Sequence, residues 1–375
     1  MSERVSLWEM FAQVPDPRGR RGRRYELQAM LTLVGVAMLS GARSVLAIAQ
    51  FGRDYGRKCA KLLGFERGKT PCCTTLHYLF CSLDAEAFEE VVERWLGQCW
   101  GAGGKTLALD GKTLRGTQGS ELPGVHLLAA YAQEMGSAVA QLRVARDRNE
   151  HKAALQLLNV LPLRDAIVTG DAAFCQKDLS REVLRKGGHY VWAVKDNQCG
   201  LKEDIETALS DESFSPRENR LAAAERQHAE QSDKGHGRSE HRRIVTTTVL
   251  KGYTDWPGLE QAFRLERRRT VQGRTTTEVA YGITSLPREQ ADAERLLQLA
   301  RAHWKVENCL FHTLDVTFGE DHCRVRSGSA PVILASLRNL AVHLLARSGS
   351  RNKAAALRRH AAQPRLALAL VRGTS

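Results

Sequence analysis

The chain has 375 residues, 43% of them hydrophobic and only 10 of them Pro, enough to bury a sizeable core and unlike a disordered chain. Its 55 Lys and Arg against 42 Asp and Glu leave a formal charge of +13, and a surface so basic gains free energy by displacing counterions from a phosphate backbone. Nine Cys with no C-x-x-C pair speak against a zinc ribbon or disulfide framework, and no stretch is apolar and long enough to span a bilayer. We therefore expect a cytoplasmic protein with reduced, buried thiols, nucleic acid as partner and no membrane.

Residues 1–100 show apolar positions at three- and four-residue spacing in LQAMLTLVGVAML, SVLAIAQFGRDYGRKCAKLLGF, TTLHYLFCSL and DAEAFEEVVERWLGQC, which predicts an all-helical N-terminal domain. Ahead of its second helix, DPRGRRGRRY crowds Arg18, Arg20, Arg21, Arg23 and Arg24 into seven residues, a candidate phosphate-gripping arm. The glycines of GAGGK, 101–105, mark a linker, after which the period changes. KTLALD, VHLLAAYAQ and AVAQLRVAR read as strands, HKAALQLLNVL as a helix, AIVTGD as a strand, QKDLSREVLRKG as a helix and HYVWAVK as a strand, the pattern of a mixed α/β sheet.

From about 203 to 286 that rhythm breaks. A polar segment leads into three strand candidates, RIVTTTVL, AFRLERRRTV and TEVAYGITSL, which we take as a β-rich insertion. One long helix over EQADAERLLQLARAHWKVENCLFHTL is expected next, then a loop, TFGEDHCRVRSG, and further helices, the last forming a basic tail at 347–375. The organisation predicted is a helical domain at 1–100, an α/β domain at 101–346 and the tail.

Asp110 and Asp171 each end a predicted strand, where open α/β sheets place ligand sites. Each has a plain alternative, since Asp-Gly makes hairpin turns and Asp caps helices. Glu307 is expected on a partly apolar helix face, with Trp304 three residues before it and Leu310 and Phe311 after. Three carboxylates meeting near about 4 Å would repel by roughly 4 kcal/mol per pair at an effective dielectric near 20, so a divalent cation would have to join them. Hard oxygen ligands select Mg²⁺ or Mn²⁺, and two such ions can serve phosphodiester chemistry, with Lys112 and Arg115 near the phosphate backbone.

The order Asp110, Asp171, insertion, Glu307 resembles the DDE transposases of the insertion-sequence group that includes the H-repeat-associated proteins. The likeness rests on VPDPRGRRGRRYEL and GARSVLAIAQFGRD in the helical part, and on LALDGKTLRG, IVTGDAAFCQ, YVWAVKDNQ, KGHGRSEHR, RAHWKVEN and LDVTFGEDHCRVR in the rest. It implies an RNase H-like mixed sheet, a metal triad of Asp110, Asp171 and Glu307, and an enzyme that cuts element ends and joins them to target DNA, working as a homodimer on double-stranded DNA. The wider superfamily's Tyr, Arg and Lys around the Glu fall here on Ala300, His303 and Leu314, so the phosphate-gripping role of those side chains is either lost or moved, with Arg301, Lys305 and Arg324 the candidates to take it. Phe311-His312 stands where a His-Trp pair is expected. His236, Arg238, Glu240 and Arg242 would line one face of an extended strand, and Lys195, His303 and Arg326 complete the candidate DNA contacts. Asp315, Glu320 and Asp321 read as surface acids, and Trp192, Trp256 and Trp304 as core. The rival readings are a nuclease of the same fold without strand transfer, and a transposase-derived DNA-binding protein without catalysis.

Overall fold

The computed structural model describes residues 5–100, 105–119, 124–144, 150–210, 225–235 and 237–374; His236 and the side chain of Arg21 lie outside the described residues. The chain divides into two units, neither continuous: Met1–Gly101, Gly111–Asp147 and Val306–Ser375 form one, Ala102–Asp110 and Arg148–Lys305 the other.

The first unit is mainly helical. Leu27–Leu39 is buried almost throughout, as a sequence in which Gln28 and Thr32 alone interrupt the apolar residues requires. The single helix expected over 44–65 is two, Val45–Asp54 and Gly56–Leu62, because Gly56 takes a left-handed backbone at φ +71° that an α-helix cannot carry through. Cys73–Ser82 and Ala85–Trp100 follow. Strands β2 (Val125–Ala132) and β3 (Ser137–Arg143) form an antiparallel hairpin.

Helix Ala330–Arg347, also buried along nearly its whole length, lies against β3. Asn339 Oδ1 accepts the Ala138 N–H at 3.1 Å and its Nδ2 donates to the Ala138 carbonyl at 3.0 Å. Gln141 donates to Ser336 Oγ at 2.6 Å, and His343 Nδ1 lies 3.1 Å from Ser137 Oγ. Ser336, Asn339 and His343 share one helix face, so a polar stripe inside an apolar helix meets the polar groups of the strand. The expected basic tail is two helices, Lys353–Ala362 and Pro364–Arg372, broken where Pro364 has no N–H to continue the first. The second packs on Leu7–Phe11 and Leu27–Leu39.

Glu89, buried in Ala85–Trp100, accepts hydrogen bonds from Ser336 and Gln141. Burial pushes its pKa up to about 8, and burial likewise raises that of Glu93, one turn on, to about 7. The folded state therefore holds protons that the unfolded chain releases near pH 4.5. The contribution of these two groups to stability is fully present below that pH and is lost as pH rises toward 8. Glu89→Gln is expected to flatten the upper part of this slope and to be more stable than the wild type at pH 9 by about 1–3 kcal/mol. Urea unfolding at pH 5 and pH 9 checks it; parallel curves for both proteins would count against a neutral Glu89.

In the second unit, to which β1 (Thr106–Leu114) belongs as far as Asp110, the strands run in the order β1, β4 (Ile167–Gly170), β5 (His189–Val194), β9 (Arg274–Thr284), β8 (Gln261–Val271), β7 (Arg238–Thr247) and β6 (Gln227–Gly235). β1, β4 and β5 are parallel and the rest antiparallel, so the sheet is mixed and the insertion β-rich, as expected. The insertion holds four strands where the sequence predicts three. β6, QHAEQSDKG, alternates between exposed and half-buried residues at the sheet edge and has too few apolar residues to show the period of a strand. Helix Ala293–His303 is capped by Asp292, which accepts the Arg295 N–H at 2.8 Å, and places Leu296, Leu297 and Leu299 against Val191, Ile244 and Phe263.

The long helix expected over 289–314 stops at His303. The backbone goes on as two π-helical turns, Val306–Phe311 and Thr313–Thr317. Among the described residues no helix is long and apolar enough to cross a membrane. All nine Cys are free thiols, but the expectation of burial holds fully only for Cys175; Cys72, Cys199 and Cys309 are exposed.

Candidate active site

Parallel pairing fixes where the two aspartates emerge. In β1 and β4 Leu109 lies opposite Gly170, so Asp110 and Asp171 are the next residues on neighbouring strands. Asp110 does not end its strand and makes no Asp-Gly turn: β1 continues through Gly111 to Leu114, while its parallel register with β4 runs from Thr106 to Leu109. Asp171 does cap, in a 3-10 turn over Ala172–Phe174, with Oδ1 accepting the Ala173 N–H at 3.0 Å. The two roles are compatible, since a carboxylate has two oxygens.

The floor below Asp171 is tightly built. Gly170 lies opposite Trp192 of β5, and a Cβ on it would fall 2.7 Å from the Trp192 ring and 2.9 Å from Phe174 Cβ. Trp192 is buried, stacks on Tyr190 with ring centroids 5.7 Å apart and donates to Ser180 Oγ at 3.0 Å. Above this floor desolvation is the main force raising the pKa of Asp171. The Ala173 N–H opposes it, Glu150 adds to the rise and Lys195 acts against it. Lys195 follows β5, so three adjacent parallel strands lead into Asp110, Asp171 and Lys195. Glu150 begins a helix, and nothing local in the sequence distinguishes it from a solvated acid.

Thr169 donates to the Leu107 carbonyl at 3.2 Å, and its oxygen lies 3.0 Å from His303 Nδ1. With the hydroxyl proton spent on Leu107, the imidazole Nδ1–H is the donor. Burial lowers the His303 pKa to about 4, so this ring has no cationic charge to offer a phosphate near neutrality, contrary to the sequence expectation.

Glu307 belongs to the other unit, in the π-helical turn Val306–Phe311. It is exposed and not on the buried stripe expected, which consists of Val306, Leu310 and Phe311; Trp304, expected in the core with Trp192 and Trp256, is 49% exposed. A π turn closes i→i+5 hydrogen bonds and so shifts the face that α-helical spacing predicts. Asp110 and Asp171 suit a hard divalent cation: two oxygen donors on neighbouring strands, one of them held above its ordinary pKa chiefly by desolvation. Among the described residues no group of three or more His, Cys, Asp and Glu is placed to hold a metal ion.

The candidate DNA contacts divide in two. Lys112, expected at the phosphate, is spent inside the first unit: its ammonium bonds Asp315 and Glu320, the latter at 2.7 Å, and lies 5.5 Å from the Phe311 ring centroid. Glu320, expected at the surface, is 2% exposed, with the Arg338 guanidinium 3.6 Å away. Arg18 is likewise internal, bonding Asp16, the Tyr25 carbonyl at 2.8 Å and the Gly22 carbonyl at 3.3 Å. Arg23 donates to the carbonyls of Arg18 and Asp16. Arg238, Glu240 and Arg242 do share one face of β7, but Arg242 is held by Asp233 at 2.8 Å and by Glu240, and Arg301 by Asp233 at 2.9 Å. Arg20, Arg24, Arg115, Lys195, Lys305, Arg324 and Arg326 are exposed.

Residues 101–344 match the family described as Transposase DDE domain, and residues 8–96 match its associated N-terminal family, DDE_Tnp_1-associated. The chain belongs to the DDE transposase family. It is 30% identical over 354 residues to the H repeat-associated protein YhhI of Escherichia coli K12, an alignment covering 92% of this chain and 91% of the relative. YncI of Escherichia coli O157:H7, whose name carries the word transposase, is 29% identical over 350 residues, 91% of this chain and 87% of that protein. Among solved structures, a piggyBac transposase in a synaptic complex with hairpin DNA aligns with TM-score 0.49 and 11% identity over 98% of this chain and 80% of the other.

Proposed function

We propose that this protein is a DNA transposase that cuts the ends of an insertion sequence and joins them to target DNA, with Asp110, Asp171 and Glu307 as ligands of Mg²⁺ or Mn²⁺, in the form of two ions. The observation that carries the reading is the pair of acids on adjacent parallel strands, aligned by the Leu109–Gly170 register in a chain of the DDE family. Asp110, Asp171 and Glu307 would hold the divalent ions, which would supply activation of a water or a 3′-hydroxyl and charge stabilisation at the leaving oxygen of a phosphodiester.

The chain's own residues then have distinct tasks. Asp110 and Asp171 supply negative oxygens from a rigid sheet, and the Gly170–Trp192–Phe174 floor restrains the turn that bears Asp171. Lys195, beside Asp171, and the exposed Arg20, Arg24, Arg115, Lys305, Arg324 and Arg326 are the cations available to phosphates of double-stranded DNA. Joining two element ends calls for a homodimer on DNA.

The test is incubation of the purified chain with labelled element-end DNA, supercoiled plasmid and Mg²⁺. Product in which the label is joined to plasmid is expected. Cuts without joining would favour the nuclease, and binding with neither product the non-catalytic DNA-binding protein.

A further inference from the structure

The motif YVWAVKDNQ contributes β5 and Lys195 to the reading above, yet its last two residues have no part in it. Both reach back to the turn that carries Asp171. Asn197 Nδ2 donates to the Ala172 carbonyl at 2.7 Å, and Gln198 Nε2 donates to the Cys175 carbonyl at 3.0 Å. These carbonyls stand at the two ends of the 3-10 turn for which Asp171 is the N-cap. Neighbouring parallel strands explain the reach, since Gly170 lies opposite Trp192 and the segments after β4 and β5 emerge side by side.

We propose that Asn197 and Gln198 are positioning residues for Asp171, acting through the backbone of the Ala172–Phe174 turn; the inference rests on Asp171 being a metal ligand, as assigned above. A three-residue 3-10 turn is held by few bonds of its own, here Phe174 N–H to the Asp171 carbonyl at 3.1 Å and Cys175 N–H to the Ala172 carbonyl at 3.2 Å. The Ala172 carbonyl therefore accepts twice, once from within the turn and once from Asn197. Asn197 is exposed and Gln198 half-buried, so neither fills a core position. What the two amides add is orientation: they fix the plane of the peptides that direct the Asp171 side chain, while Trp192 and Phe174 close the space beneath. Partners that orient a metal ligand without touching the metal matter to affinity far more than their contribution to folding suggests.

The experiment uses the full chain and Mn²⁺ as probe, with free Mn²⁺ followed by electron paramagnetic resonance and unfolding followed by circular dichroism. Asn197→Ala with Gln198→Ala is expected to weaken Mn²⁺ binding by about 10–100-fold, with the unfolding midpoint and the affinity for element-end DNA in EDTA unchanged. Asn197→Asp, which keeps the size of the side chain and loses the donor, is expected to weaken binding at least as much as Asn197→Ala. In an Asp171→Asn background the alanine pair should cause no further loss, because both changes act through one ligand. Wild-type Mn²⁺ affinity in the alanine pair, alongside weakened binding in Asp171→Asn, would overturn the positioning role and leave the metal assignment standing. Equal Mn²⁺ binding in the wild type and Asp171→Asn would overturn both. A loss of binding accompanied by an equal loss of the folded signal would assign the amides to folding alone and also overturn the proposal.

Discussion

Asp171→Asn is expected to reduce DNA cleavage by three powers of ten or more while leaving DNA binding and folding intact. The substitution is nearly isosteric, and its amide oxygen can still accept the Ala173 N–H that Asp171 Oδ1 accepts at 3.0 Å, so the cap of the turn survives. What is lost is a negative oxygen beside Asp110, the neighbour that parallel register supplies. Removing a ligand that lets a metal stabilise transition-state charge costs several kcal/mol, and each ~1.4 kcal/mol is a factor of ten in rate. Asp196→Asn is the control: that acid is 91% exposed, pairs with Lys202, and its loss should leave cleavage within about twofold. Single-turnover cleavage of labelled end DNA in Mg²⁺, with anisotropy binding in EDTA, separates the outcomes. Undiminished cleavage by Asp171→Asn would remove Asp171 from the chemistry and the proposed mechanism with it.

Lys112→Met is expected to destabilise the fold by about 3–5 kcal/mol, the cost of breaking a buried ion pair by removing one partner. Lys112 is 10% exposed and Glu320 1% at their side chains, and Asp315 faces the same ammonium. Without the lysine, two carboxylates converge, and Arg338, 3.6 Å from Glu320, is left to balance them. A phosphate-binding lysine predicts the opposite pattern, unchanged stability and a salt dependence of DNA binding shallower by about one contact. Arg115→Met makes the comparison direct, since Arg115 is 81% exposed and should change stability by no more than about 0.5 kcal/mol. Urea unfolding of the two variants decides between the assignments.

Burial governs which elements are visible in the sequence. Helix Leu27–Leu39 and strands β4 and β5 are visible because burial imposes apolar runs of the right length. β6 is hidden because a polar edge strand takes its order from the β7 ladder and not from its own side chains. Gly56 and Pro364 did carry a local signal for a break, overridden by the apolar period around them. The π-helical turns at 306–317 had no such signal, and with them went the expected orientation of Trp304 and Glu307. Of the charged candidates, Lys112 and Arg18 look like surface cations in sequence because their partners, Glu320 and the Tyr25 carbonyl, are either far away along the chain or part of the backbone.

By itself the amino-acid order determined the class: a basic chain, helices first, then a mixed sheet interrupted by a β-rich insertion, with acids placed after two predicted strands. Composition and periodicity report on burial averaged over a segment, and the order of motifs on ancestry; both are properties of the linear chain. Only the tertiary structure decided that Asp110 and Asp171 emerge as neighbours, that Asn197 and Gln198 donate to the turn that follows Asp171, and that Lys112 faces inward to Glu320. Those outcomes depend on strand register and on hydrogen-bond partners distant in sequence, and electrostatic and hydrogen-bond energies are set by distance and surroundings in space.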